Sequence, residues 1–148
     1  MLDTVTRKEA VRALQVHMAD SLTAYNLANS TSLVCFYDNV IEGVADLNSY
    51  LKFNINFSGS AEKLTPTVFR QVGVAVIRVC IPIGKGTNES LDITDFFESD
   101  DGFLLKKWPN NVMEINDIGV TEIGPDGANY ITDLIITFQF NKGTKHGK

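Results

Sequence analysis

The sequence predicts an α+β fold, a mixed and mainly antiparallel sheet with two helices packed on it. Two stretches place apolar residues at helical spacing, and between and after them lie runs typical of strands. The longest of these runs, residues 68–83, is apolar at nearly every position. The elements follow in the order helix, strands, helix, strands with no internal repeat, so we expect one domain over residues 1–148.

The first predicted helix begins with a capping box. In Thr6-Arg7-Lys8-Glu9 the glutamate stands three residues after the threonine, so each side chain can bond the backbone N–H of the other residue. We expect the helix to run from Thr6 to about Tyr25 and to end before the polar segment that begins at Asn29. Its predicted apolar stripe consists of Ala10, Leu14, Met18 and Leu22, with Val11, Ala13 and Leu27 nearby.

Two strands and a loop are predicted next. Residues 33–37 form a short apolar run, and residues 50–57 alternate apolar and polar side chains as a half-buried strand does. Residues 58–67 (SGSAEKLTPT) are polar, include Gly and Pro, and exceed a tight hairpin turn. We therefore expect a mobile loop that gains order when the protein assembles. The loop residues predicted to contact a partner are Ser58, Gly59, Ser60 and Lys63.

The long strand is apolar on both faces. One predicted face carries Val72, Val74, Val76 and Cys80, and the other carries Ala75, Ile77, Val79 and Ile81. Pro82 has no backbone N–H to donate and marks the end of the strand. A strand that is apolar on both faces has to be covered on both, and two modest helices cover one face. We therefore expect another copy of the chain, or a partner, to cover the second face.

The second predicted helix has an acidic side. Thr87 is its expected N-cap, and Asp100-Asp101-Gly102 supplies the stop. Its apolar side holds Ile93, Phe96 and Phe97. The acidic run consists of Glu89, Asp92, Asp95, Glu98, Asp100 and Asp101. These acids lack the spacing of a calcium-binding loop, and we interpret them as a solvated helix face.

Strands are predicted for the remainder of the chain, at residues 103–108, 112–123 and 130–140. Gly124-Pro125-Asp126-Gly127 lies between the last two and is a strong hairpin signal. The polar residues 141–148 are predicted to form a flexible C-terminal tail.

Composition and charge exclude several classes of function. A net charge of -5 and a pI near 4.9 argue against a surface that grips nucleic-acid backbones. No apolar run approaches the roughly 20 residues of a membrane-spanning helix. The N-terminal residues lack the apolar core of a secretory signal, so we expect a protein made in the cytoplasm. Cys35 and Cys80 lie in apolar runs and are predicted to be buried, reduced thiols.

No pattern predicts catalysis, a cofactor or a metal site. Gly84-Lys85-Gly86-Thr87 differs from a phosphate-binding P-loop, which needs Gly where Val79 stands and Ser or Thr directly after the lysine. His17 and His146 show no zinc-ligand spacing with the cysteines. We therefore predict that the protein is not an enzyme, and we leave an uncharacterised activity of the loop after Pro82 as an open alternative.

Two arginines interrupt the long strand. Arg70 and Arg78 are eight residues apart, so they share a face of a regular strand. One interpretation is that they mark the exposed ends of an otherwise covered strand. The other is that they pair with acids of a neighbouring subunit, where Arg is the favoured interface cation. The candidate acids are Asp92, Asp95 and Glu98.

Several features carry a resemblance to one family. An N-terminal helix, Glu9 to Leu22, precedes a short strand, and the long strand contains Arg70 and Gly73. The strand ends in Ile81-Pro82-Ile83-Gly84-Lys85-Gly86, which is similar to an apolar-Pro-x-Gly-x-Gly strand end. A helix closing in Phe96-Phe97 and a C-terminal strand pair follow. Over nearly its whole length the chain resembles the tail-terminator, or tail-completion, family of long-tailed, lambda-like bacteriophages. It departs from that family in its acidic second helix and in its basic tail residues Lys142, Lys145 and Lys148.

The resemblance implies a structural protein of the virion tail or neck. Such proteins form a ring, usually sixfold, that caps the finished tail tube, ends tail polymerisation and presents a docking face to the head connector. The implied partners are further copies of the chain, the tail tube protein and the head-tail connector protein, and DNA passes through the ring without specific binding. No cofactor, metal or membrane is implied. A head-closure or neck adaptor protein, and a small cytosolic binding domain of unknown ligand, remain as alternatives.

Overall fold

The computed structural model describes residues 4–37, 49–84, 88–99 and 113–143, without the side chains of residues 60 and 61. The elements in chain order are β1 (Thr4–Val5), α1 (Arg7–Asn29), β2 (Val34–Tyr37), β3 (Tyr50–Thr65), β4 (Val68–Pro82), α2 (Asn88–Glu98), β5 (Glu114–Asp126) and β6 (Asn129–Gly143). Several predicted features lie outside the described residues: the Thr87 cap, the Asp100-Asp101-Gly102 stop, the strand at 103–108 and tail residues 144–148.

The described strands form one mixed sheet. Its order is β1-β6-β4-β3-β2, and β5 also pairs with β6. The β3–β4, β4–β6 and β5–β6 pairs are antiparallel, whereas β1–β6 and β2–β3 are parallel. The predicted α+β class, with a mixed and mainly antiparallel sheet and two helices packed on it, is confirmed.

Helix α1 starts where the sequence predicts and ends later. Thr6 Oγ1 accepts from the Glu9 N–H at 3.1 Å, and Glu9 Oε1 accepts from the Thr6 N–H at 2.8 Å, so the capping box is formed. The helix continues to Asn29, and Ser30 closes it in the left-handed conformation with a φ of 54°. The Asn26 side chain then makes two hydrogen bonds with the backbone of Leu33. Its Nδ2 donates to the Leu33 carbonyl, and its Oδ1 accepts from the Leu33 N–H. These bonds hold the segment after the helix against its last turns, so the polar residues near Asn29 do not prevent the helix from reaching that residue.

The predicted mobile loop over residues 58–67 is instead part of a hairpin. Strand β3 continues to Thr65 and pairs with β4 until Thr65 faces Val68, so only a two-residue turn remains. A register shift between Phe57 and Ala61 places extra residues of β3 opposite β4. This bulge breaks the alternation of side chains that identifies a strand in a sequence. Thr65 Oγ1 accepts from the backbone N–H groups of Thr67 and Val68 across the turn.

Strand β4 lies inside the sheet and carries the core on one face. Its odd-numbered residues point toward both described helices, whereas the even-numbered residues lie on the other face. The buried residues that form the core are Ala75, Ile77, Val79 and Ile81 of β4, Leu51 and Phe53 of β3, Leu134, Ile136, Phe138 and Phe140 of β6, Ala10, Leu14, Met18 and Tyr25 of α1, Ile93 and Phe97 of α2, and Met113. Leu27, which the sequence places near the apolar stripe, is 78% exposed.

The C-terminal hairpin is confirmed, with its turn displaced along the chain. Asp126 faces Asn129, so the turn residues are Gly127 and Ala128. Gly127 has a φ of 63°, a conformation that glycine adopts at little cost. Strand β6 then extends to Gly143 and pairs with both β1 and β4. Residues 141–143 of the predicted flexible tail are therefore sheet residues. Within the described residues, no helix is long and apolar enough to cross a membrane.

Candidate interaction surface

One face of the sheet has no described helix packed on it. It is formed by the even-numbered residues of β4 and their neighbours across the strands, and we call it the open face. Its aliphatic residues are Val72, Val74, Val76 and Ile135. Val72 is 36% exposed, and the other three are half-buried. Toward one end, Tyr50, Cys80 and Ile131 form a small buried cluster with Phe36.

A row of charged side chains crosses the open face beside these aliphatic residues. Lys52 of β3 is the cross-strand partner of Arg78, and Arg78 is the cross-strand partner of Asp133 on β6. Arg78 Nε and one terminal nitrogen donate to the two carboxylate oxygens of Asp133 at 2.8 and 2.9 Å. This bidentate bond is the main cause that raises the pKa of Arg78.

Lys52 is the third member of the row and has a different environment. Its Nζ lies 5.9 Å from the centre of the Tyr50 ring, a cation–π contact. Within the described part of the chain, no carboxylate lies within ion-pair distance of Lys52. The row therefore combines one neutralised arginine with one lysine that has no acid partner among these residues.

Both strand arginines have an acid partner within their own chain. Arg78 binds Asp133, and Arg70 lies 3.7 Å from Glu62 of the neighbouring strand β3. The Arg70–Glu62 pair is exposed, with 41% and 67% of the two side chains accessible, so it adds little stability. The Asp133 side chain is only 11% exposed, and this carboxylate fixes the Arg78 guanidinium on the open face.

The outer side of α2 carries exposed acids, as interpreted from the sequence. Asp92 and Asp95 are exposed, and Leu91 beside them is 50% exposed. Glu98 is half-buried, and Glu89 accepts a hydrogen bond from Ser49 Oγ at 3.0 Å. The opposite side of the helix holds Ile93 and Phe97 in the core, and Phe96 and Phe97 contact the ring of Tyr25. These core contacts leave the acidic side directed outward.

The loop residues predicted to contact a partner belong to the far end of the β3–β4 hairpin. Ser58 accepts from the buried Gln71 side chain through both its carbonyl and its hydroxyl. Arg7 of α1 donates to Oε1 of the Gln71 side chain at 3.0 Å, so this network joins the helix to the bulge. Gly59 and Lys63 are exposed, and the Ser60 side chain lies outside the described residues. The hairpin end and the Lys52–Arg78 row lie toward opposite ends of the two strands.

Sequence reasoning missed Asp133 and Lys52. Asp133 is a lone acid within the apolar run YITDLIITFQF, and Arg78 is a lone base within VGVAVIRVCIPI. Two opposite charges placed singly in the two most apolar strands indicate a cross-strand pair, because a charge that loses water needs a partner. That signal was present in the sequence. Lys52 lies in an alternating strand, where a lysine on the polar face carries no such information.

The described residues offer no evident catalytic centre. Burial raises the pKa of the Cys35 thiol to about 12 and also raises that of Cys80, so both thiols stay protonated near neutral pH. No group of three His, Cys, Asp or Glu side chains with metal-binding geometry occurs among these residues. A groove of about 330 Å³ is lined by Arg12, Gln15, Val16, Ala19 and Tyr37.

Comparison with known proteins informs the fold alone. No protein-family model matches the chain, and no curated protein matches it. Among solved structures 22 chains match, so other proteins adopt a similar fold. One of them, whose name is only a sequence label, superposes with a TM-score of 0.58 at 14% identity, over 87% of this chain and 94% of that one.

Proposed function

We propose that the chain is a structural subunit that assembles into a closed ring, and that this ring caps a bacteriophage tail tube. The observation that carries the proposal is the open face. It presents Val72, Val74, Val76 and Ile135 from the middle of the sheet with no described helix over them. An apolar row at the centre of a sheet favours burial, and the chain's own described helices occupy the other face.

Two unlike surfaces favour an assembly that repeats the same contact, and a closed ring is one such assembly. The open face is aliphatic and carries Lys52 without an acid partner among the described residues, whereas the outer side of α2 carries the exposed Asp92 and Asp95. A contact between two different surfaces is heterologous, and it repeats in one direction until it closes into a ring or continues as a filament. A contact of the open face with itself would leave Asp92 and Asp95 of α2 on the far side of each subunit, away from Lys52.

The placement of this ring at the end of a tail rests on the resemblance in the sequence. The long strand ending in Ile81-Pro82-Ile83-Gly84, followed by a helix that closes in Phe96-Phe97, supports a tail-terminator role. In that role the ring contacts the tail tube protein on one side and the head-tail connector protein on the other. Each subunit carries a net charge of -5, so the ring does not retain the DNA that passes through it.

The test combines size measurement with tail assembly. Sedimentation of the purified protein over a range of concentrations is expected to show a discrete ring, sixfold in the family resembled, in equilibrium with the monomer. Electron microscopy of tails assembled with this chain should show tubes of uniform length that end in a ring. Without the chain, the same tubes should be longer and variable. Tubes of equal length in both preparations would contradict the tail-terminator role.

A small binding domain is the second candidate, and the groove between α1 and Tyr37 favours it. This candidate predicts a protein that remains monomeric at all concentrations and is stabilised against heat by a ligand. A head-closure or neck adaptor protein is distinguished within the ring proposal, because it would bind the connector and leave tube length unchanged.

A further inference from the structure

We propose that the outer side of α2 in one subunit docks on the open face of the next subunit. Leu91, Asp92 and Asp95 of the helix would contact the surface formed by Lys52, Arg78 and Val76. The inference rests on the proposed ring and identifies the two surfaces that form its repeating contact. The occupant of the open face is thus a second copy of this chain.

Among the described residues, the charges without an ion-pair partner on the two surfaces are complementary: Lys52 on the open face, and Asp92 and Asp95 on α2. Asp133 engages Nε and one terminal nitrogen of Arg78, and Lys52 has no acid partner within the described residues. On α2, neither Asp92 nor Asp95 forms an ion pair with a described residue. A carboxylate from the neighbouring helix would therefore meet Lys52 and the remaining terminal nitrogen of Arg78 without breaking a bond inside either subunit.

Each surface also has an apolar centre. Leu91 is 50% exposed on α2 beside the two aspartates, and Val76 with its cross-strand partner Ile135 is half-buried on the open face next to Arg78. Exposed ion pairs supply little affinity by themselves, so the aliphatic contact provides most of it. The charges set the register of the contact and exclude wrong pairings.

The two proposed contact surfaces lie on opposite sides of the subunit, so the contact can repeat in one direction. The inner side of α2 packs on the covered face of its own sheet through Ile93 and Phe97. The outer side of α2 and the open face therefore lie on opposite sides of the subunit. When the helix of one subunit covers the sheet of the next, the same contact is available again at the far side, as a repeating heterologous contact requires.

The decisive experiment uses two charge reversals, Lys52→Glu and Asp95→Lys, studied alone and mixed. In each variant alone, the reversed residue faces a like charge at every contact, and the concentration at half assembly is expected to rise by about tenfold or more. In a 1:1 mixture, alternating subunits restore complementarity. One contact is the original Asp95–Lys52 and the next is its reverse, so the mixture is expected to assemble as the wild type does, and only into rings with an even number of subunits.

Matched controls place the same charge changes elsewhere. Lys8→Glu and Asp20→Lys change exposed residues of α1 and are expected to leave assembly unchanged. Leu91→Ser tests the apolar contact without reversing a charge, and Leu27→Ser is its control because Leu27 is also exposed. Leu91→Ser should weaken assembly, whereas Leu27→Ser should not, and both should keep the melting temperature of the wild-type monomer.

The outcomes separate this contact from the ring itself. A wild-type protein that stays monomeric at every concentration overturns both the proposed function and this contact. If the wild type forms rings and the single reversals form them equally well, the contact is wrong and the ring stands. The contact is also wrong if the reversals block assembly but their mixture does not restore it.

Discussion

The ring of Phe138 on β6 lies against the Cα of Gly73, its direct cross-strand partner on β4. A Cβ at residue 73 would come within 2.5 Å of Phe138 Cζ and within 3.0 Å of the Asn56 carbonyl oxygen. The same phenylalanine ring contacts Phe57 and Phe140 with centroid separations of 6.1 and 6.3 Å. The absent side chain of Gly73 thus makes room for an aromatic cluster at the centre of the core.

Gly73→Ala is expected to destabilise the monomer by about 1–3 kcal/mol, because the added methyl group overlaps both an aromatic ring and a backbone carbonyl. The measurement is chemical denaturation followed by circular dichroism. Gly119→Ala is the matched control, since a Cβ there has no neighbour within 4 Å. The control should remain within about 0.5 kcal/mol of the wild type. Equal stability of Gly73→Ala and the wild type would contradict the packing.

Asp133→Ala is expected to cost about 1–3 kcal/mol, because it leaves the Arg78 guanidinium on the sheet without its bidentate acceptor. A double-mutant cycle with Arg78→Met isolates the pair. The coupling free energy should exceed about 0.5 kcal/mol, whereas a cycle between Arg70 and Glu62 should give less, because that pair is exposed. Equal coupling in the two cycles would mean that the bidentate geometry adds no stability.

Alkaline pH is expected to destabilise the fold through Cys35. Burial raises the pKa of this thiol from its ordinary value of 9.0 to about 12 in the folded protein. Between these pH values the unfolded chain releases the thiol proton and the folded protein retains it. The folded state therefore binds more protons, and stability falls as the pH rises through this window.

The Cys35→Ala variant tests this pH dependence. It should lose less stability than the wild type between pH 9 and 12, because the thiol no longer contributes to the titration. The measurement is the free energy of unfolding at a series of pH values, compared between the two proteins. Parallel curves over this window would show that the thiol is not buried as the structure places it.

Thr6→Ala is expected to destabilise the monomer by about 1 kcal/mol, because it removes the hydroxyl that accepts from the Glu9 N–H. Thr23→Ala is a suitable control. Thr23 lies on the exposed side of α1, and its hydroxyl only bonds the Ala19 carbonyl within the helix. If both substitutions change the unfolding free energy equally, the capping box is not formed in solution.

Local patterns in the sequence determined the elements that were predicted well. The capping box at Thr6 and the Gly-rich turn before β6 depend on residues a few positions apart, so they can be recognised without knowing the fold. The continuation of β3 beyond Phe57 was missed because the bulge interrupts the alternation of side chains. Strand β1 was missed because it has only two residues, Thr4 and Val5, which are too few to show the alternation of apolar and polar side chains.

The interaction surface was predictable only in part. The acidic outer side of α2 follows from helical periodicity, and the apolar second face of β4 follows from its composition. The pairing of Arg78 with Asp133 joins two residues 55 positions apart and depends on the register between their strands. That register is set by hairpin turns and core packing together, and no short segment of sequence contains it.

The position of β6 in the sheet constrains when the protein can fold during synthesis. Strand β4 pairs along its full length with β6, which is the last strand in the described chain. When β4 has left the ribosome and β6 has not, the edge of β4 that will pair with β6 has all its backbone donors and acceptors unpaired. Such a strand is prone to aggregate, so the nascent chain depends on chaperones or on rapid completion. Chains that terminate early, within β5, should accordingly be recovered as insoluble protein.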